Sequence, residues 1–202
     1  RYSVKPSVFP VALLEAADAM TMIREHAAEW HVDPDAIAVI GFSAGGHLAA
    51  NLATSTSDDV LVAHGYDPDA VRPNGLMLAY PVITSGPLAH RGSFDSLLGE
   101  RRNDSQALES VSIERHIDAK TPPVFAWHTV PDETVPYENT LMLIDACKKA
   151  GVSIEAHLFP QGGHGLSLGT AETAWQGVNG IEPSIQIWPQ LAVSWMRRTF
   201  AR

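Results

Sequence analysis

Three short stretches hold residue types that could do acyl-transfer chemistry together. Gly41-Phe42-Ser43-Ala44-Gly45 follows the apolar run Ile37-Ala38-Val39-Ile40 and precedes Gly46-His47-Leu48-Ala49-Ala50. This is G-x-S-x-G between a strand and a helix, the setting in which a serine hydroxyl is presented on a sharp turn as a nucleophile. Such a turn crowds its neighbours, so the residues two before and two after the serine, Gly41 and Gly45, are expected to be small for steric reasons. The helix that follows leaves N–H groups without intrahelical partners beside the serine, where negative charge would develop.

A serine hydroxyl needs a histidine to take its proton and a carboxylate to hold that histidine. On an open α/β sheet the order along the chain is serine, acid, histidine, with the last two on loops after later strands. The loop Thr129-Val130-Pro131-Asp132-Glu133-Thr134-Val135-Pro136 supplies the acid, Asp132, with Glu133 as the second choice. Pro160-Gln161-Gly162-Gly163-His164-Gly165 supplies one base, His164. Each residue has an ordinary reading as a turn former; their joint order after strands is what favours chemistry. Trp127 and His128, at a strand end before the acid loop, are expected to support the site. The remaining histidines (His26, His31, His47, His64, His90, His116 and His157) show no metal-ligand spacing and default to surface or packing roles, so no metal and no cofactor is expected.

The elements that must position these residues alternate. Leu13, Ala17, Met20, Ile23, Ala27 and Trp30 recur at helical intervals, predicting an amphipathic helix over 11–30 that starts after Pro10. Strands are expected at 37–42, 76–80, 124–128 and 154–159, and helices at 44–53, 137–150 (ending at Gly151) and about 185–200. Short apolar strands separated by helices predict a mostly parallel sheet covered by helices on both faces. Residues 82–120 interrupt that rhythm, with short helices expected at 93–98 and 105–110, and read as a lid-like insertion in a single domain.

The 202 residues are 45% hydrophobic, enough for one sizeable core. A formal net charge of −9 without a Lys/Arg run argues against nucleic acid as a partner. No apolar stretch approaches a membrane span, so no membrane partner is expected. The single cysteine, Cys147, sits in a helical setting and weakly favours a reducing, cytoplasmic compartment.

Gly41–Ala49, then Trp127-His128-Thr129 running into Asp132–Pro136, then Phe159–Gly165, resemble the α/β-hydrolase superfamily. More narrowly they are similar to its bacterial acetylxylan-esterase-like or feruloyl-esterase-like esterase/lipase group. The resemblance implies Ser43 as nucleophile, Asp132 as acid, His164 as base and the Ala44 N–H as one oxyanion donor. It also implies short acyl esters as substrates, often acetyl groups on carbohydrate. One departure stands out: no Gly-rich oxyanion loop precedes the helix at 11–30. Arg1-Tyr2-Ser3 is expected to be the tail of a strand, with the first strands of the domain lacking. Strand 37–42 would then be bare on one side, a hydrophobic edge that recruits another strand. A companion N-terminal segment is expected there, and self-association into a homo-oligomer stays open. An inactive fragment serving as an interaction module, or a serine peptidase of the prolyl-oligopeptidase type, are the competing readings.

Overall fold

The computed structural model describes residues 2–4, 8–54, 57–175 and 180–201. Four strands, β1 (Ala38–Phe42), β2 (Gly75–Ala79), β3 (Val124–Thr129) and β4 (Ile154–Phe159), form one sheet in the order β1-β2-β3-β4. All three pairings are parallel, with Ile40 opposite Met77, Leu78 opposite Ala126, and His128 opposite Leu158. The expected α/β architecture is thus the observed one.

The period-2 alternation of the two inner strands divides the core. Leu76, Leu78, Val124 and Ala126 face one layer, against the small residues Ala49, Ala50 and Ala53 of α2 (Ala44–Ala53) and Leu143 and Cys147 of α7 (Glu138–Ala150). Met77, Ala79, Phe125 and Trp127 face the other, against Trp188, Ala192 and Trp195 of α8 (Trp188–Thr199). Both inner strands are buried along their whole length, whereas β1 and β4 are partly exposed. Ile40 of β1 is 44% exposed, and no described strand pairs with the outer edge of β1. At the opposite edge, β4 carries Glu155, paired with Arg198 of α8, and His157. The burial on both faces expected of the strands therefore holds for β2 and β3, while β4 has a half-wet face.

The first helix, α1 (Val11–Glu25), is shorter than its periodicity suggests. After Glu25 the backbone tightens into turns, with the Ala27 N–H reaching back to Arg24 and His31 at a φ of 55°. Trp30 consequently leaves the core face, lies 46% exposed and stacks on His26. The strand expected at the start of the chain is not seen. Arg1 lies outside the described residues, while Tyr2 and Ser3 are irregular and Ser3 is bonded to the Glu15 carboxylate. Two short helices lack a periodic signal, α3 (Asp58–Ala63) and α4 (Pro68–Val71); Arg72 ties them together through Asp58 and the Ala53 carbonyl. Between β2 and β3 the chain forms α5 (Arg91–Leu98) and α6 (Ser105–Ser110), whose Phe94, Leu98 and Ala107 pack on Val82, Val111 and Val135. Among the described residues no helix is long and apolar enough to cross a membrane.

Candidate active site

Ser43 sits between β1 and α2 with φ 53° and ψ −120°, a conformation that a side chain other than glycine rarely adopts. Backbone bonds hold it there. Its N–H donates to Ala79 (3.0 Å), and its carbonyl accepts from Gly46 (3.0 Å), His47 (3.2 Å) and Val82 (3.2 Å). A conformation costing about 1–3 kcal/mol persists only when its surroundings over-determine it in this way. The chain has to pass very close to itself at this turn. A Cβ on Gly41 would lie 2.2 Å from the Gly45 carbonyl oxygen, and one on Gly46 would lie 3.0 Å from Pro81 Cβ. At Gly45 the same test meets only Tyr2 Oη at 3.6 Å, an ordinary contact. The steric demand therefore falls on positions 41 and 46 rather than on 41 and 45.

The sheet brings three distant side chains together. His164 Nε2 lies 2.7 Å from Ser43 Oγ, and His164 Nδ1 lies 2.7 Å from Asp132 Oδ2. Asp132 is buried, and its other oxygen accepts from the N–H groups of Thr134 and Val135, both at 2.9 Å. Burial pushes the Asp132 carboxyl up. Hydrogen bonds from His128, His164 and Val135, with the nearby His164 charge, outweigh it and hold the group well below the usual carboxylate range. Glu133, the alternative acid, is exposed to solvent. Ala44 opens α2, so its N–H is among the first-turn donors that lack an intrahelical acceptor.

His128 is fully buried beneath this array. Its Nε2 lies 3.2 Å from Asp132 Oδ2 and 3.0 Å from the Val135 carbonyl, and its Nδ1 lies 2.8 Å from Thr140 Oγ1. A carbonyl only accepts, so Nε2 is assigned the proton. Trp127 packs among aromatic rings. It is 1% exposed, stacks on Trp188 and meets the edge of Tyr80.

Tyr80 has no counterpart in the sequence reading. Its ring packs 4.9 Å from the imidazole of His164, and its hydroxyl accepts from the Ser167 N–H at 3.0 Å. Burial pushes its phenol pKa up, opposed by the Ser167 bond. The available signal was its position at the carboxyl end of a parallel strand, immediately before Pro81. Of the surface and packing roles that the sequence leaves open for His47, the structure shows the packing one. Its Nε2 donates to the Val111 carbonyl at 2.8 Å, while Asn51 Nδ2 lies 3.0 Å from its Nδ1. Its ring meets Phe94 edge-on, linking the serine helix to the 82–120 segment. Beside Ala44 and His47 opens an apolar cavity of about 380 Å³, also lined by Phe9, Leu13, Leu48 and Leu97. Among the described residues, no group of three His, Cys, Asp or Glu side chains is placed to hold a metal ion.

The chain is similar to several known proteins. The chain is 34% identical over 167 residues to endo-1,4-beta-xylanase B of Butyrivibrio fibrisolvens, covering 82% of this chain and 26% of that protein. It is 30% identical over 153 residues to acetylxylan esterase of Xylanibacter ruminicola, covering 74% of this chain and 30% of that protein. The chain thus spans about a quarter to a third of these curated relatives. Among solved structures, an acetyl ester-xyloside bifunctional hydrolase from Caldicellulosiruptor lactoaceticus is 37% identical. It superposes with a TM-score of 0.82 over 98% of this chain and 69% of its own. The carboxylesterase Cest-2923 from Lactobacillus plantarum is 29% identical, with a TM-score of 0.79 over 95% of this chain and 69% of its own. The model of the BD-FAE family matches residues 1–146, most of the parallel sheet included, and on that match the chain belongs to the BD-FAE family of α/β-hydrolases.

Proposed function

We propose that the chain carries the catalytic centre of a carboxylic ester hydrolase acting on short acyl esters, acetyl groups on carbohydrate among them. The observation that carries this reading is the continuous relay Ser43–His164–Asp132, with both contacts at 2.7 Å and the serine on a strained turn at the head of a helix. Relatives named as acetylxylan esterase and acetyl ester-xyloside hydrolase support the acetyl-carbohydrate part.

In the proposed reaction, Ser43 Oγ attacks the ester carbonyl carbon while His164 Nε2 takes its proton. Asp132 keeps the imidazole oriented and supports its positive charge. The carbonyl oxygen becomes an oxyanion facing the Ala44 N–H, where a preorganised donor contributes a factor of about 10²–10³ in turnover. His164 then protonates the departing alcohol, activates a water and releases the acid.

The test uses p-nitrophenyl acetate and a fluorophosphonate label. Ser43→Ala is expected to lose hydrolysis and labelling while keeping its melting temperature. Labelling that persists in Ser43→Ala, or failure of the parent chain to label, would remove Ser43 from the mechanism.

A further inference from the structure

The leaving oxygen of an ester must come within hydrogen-bond reach of His164 Nε2, the atom that returns the proton. The alcohol half of the substrate therefore extends along the loop that carries His164. Trp175 lies on that loop and is 53% exposed, although a tryptophan side chain loses much by staying in water. The distal edge of its indole rests at Gly165, the residue after His164. A Cβ built there would lie 3.3 and 3.5 Å from Trp175 Cζ3 and Cη2. Gly165, at a φ of 78°, leaves room for the indole at that place.

Hydrogen bonds tie down the loop between His164 and Trp175. Ser167 N–H donates to Tyr80 Oη, Trp188 Nε1 to the Ser167 carbonyl, Glu182 N–H and Gln186 Nε2 to the Gly169 carbonyl, and Thr173 Oγ1 to the Leu166 carbonyl. Tyr80, one anchor of that loop, is also the ring packed on His164. The imidazole and the loop segment that leads to the indole therefore share the Tyr80 anchor.

We propose that Trp175 is a stacking platform for a pyranose ring on the alcohol side of the scissile ester, an inference that rests on the ester-hydrolase reading above. A wholly apolar alcohol would need an enclosed pocket. A pyranose presents one face of C–H groups, suited to an indole π-face, while its equatorial hydroxyls stay in water. A half-exposed indole whose edge rests at the residue after His164 fits that divided chemistry.

Two measurements test it. The first is the ratio of kcat/KM for acetylated xylobiose to that for ethyl acetate, whose alcohol has no ring to stack. In Trp175→Ala this ratio is expected to fall about fivefold to tenfold, through KM for the sugar ester, and Trp175→Phe to recover most of it. The second does not depend on turnover. In Ser43→Ala, xylotetraose is expected to shift the indole N–H resonance of Trp175, identified by its loss in Trp175→Phe. An unchanged ratio, or an indole resonance that ignores the sugar, overturns the platform. A parent chain that hydrolyses neither ester sinks the hydrolase reading, and the resonance still decides the platform.

Discussion

His128 and His164 address the same oxygen of Asp132, Oδ2, from 3.2 and 2.7 Å. The carboxylate is thereby fixed on both sides: two backbone N–H groups hold Oδ1, and a buried imidazole steadies Oδ2 from behind while His164 binds it from the front. In the proposed reaction His128 would act only through Asp132, as a positioning residue. His128→Phe keeps a ring in the space and removes the donor, so kcat is expected to fall about tenfold with KM unchanged, the loss of one hydrogen bond to a charged group. His128→Gln, which restores an amide donor, should recover part of that loss. Equal falls in kcat for both variants, accompanied by matching drops in melting temperature, would assign His128 to packing alone.

Asp132→Asn separates orientation from charge. The amide can occupy the same place, but its NH₂ group competes for Oδ2's position and permits the wrong imidazole tautomer. A loss of about 10³–10⁴ in kcat is expected with KM little changed, as for other relays of this geometry. Steady-state kinetics on p-nitrophenyl acetate would decide it, and a loss below tenfold would take Asp132 out of the relay.

The turn makes a steric prediction that distinguishes two glycines of one motif. Gly41→Ala forces a Cβ to 2.2 Å from the Gly45 carbonyl, and neither backbone segment can yield without moving Ser43. A destabilisation of about 3 kcal/mol or more is expected, from overpacking at a fixed backbone. Gly45→Ala meets only Tyr2 Oη at 3.6 Å and should cost far less. Urea unfolding of the two variants gives the comparison; equal destabilisation would mean that the helix, not the turn, sets the limit.

How much of this was legible in the sequence depends on how local the cause is. Ser43, Asp132 and His164 announce themselves because strand-end loops with those residue types are short and the order is constrained. Strand and helix positions followed from apolar runs bounded by Pro and Gly, and β2 and β3 agree to within a residue at each end. Tyr80 was legible only as a strand-end position before Pro81. Its aim depends on a φ of 38° set before Pro81 and on a hydroxyl partner, Ser167, 87 residues further on. The end of α1 was missed because Ala27 and Trp30 keep helical spacing, whereas the backbone had already turned. Trp175 and His47 lacked any local signal: one owes its position to a loop folded back on Gly165, the other to Val111, 64 residues away.

His47 supplies a prediction about pH. Its ring is 5% exposed, and its neighbours are Phe94, Asn51 and the Val111 carbonyl, none of them charged. Burial holds its pKa down at about 4, against an ordinary 6.5, even though the Val111 carbonyl favours the protonated ring. Between those two values the unfolded chain binds a proton that the folded chain refuses. Stability fully present above pH 6.5 is therefore lost progressively as pH falls towards 4. Asp132, whose folded pKa is also depressed, adds its own loss at lower pH, below the ordinary carboxylate value of 3.8. His47→Gln keeps a donor for Val111 but cannot titrate. Urea midpoints measured from about pH 7 to 4.5 should fall more steeply for the parent than for His47→Gln, since exposed histidines contribute alike to both. Parallel slopes would show that the buried ring already takes up its proton in the folded state, against the burial and the apolar neighbours that hold it neutral.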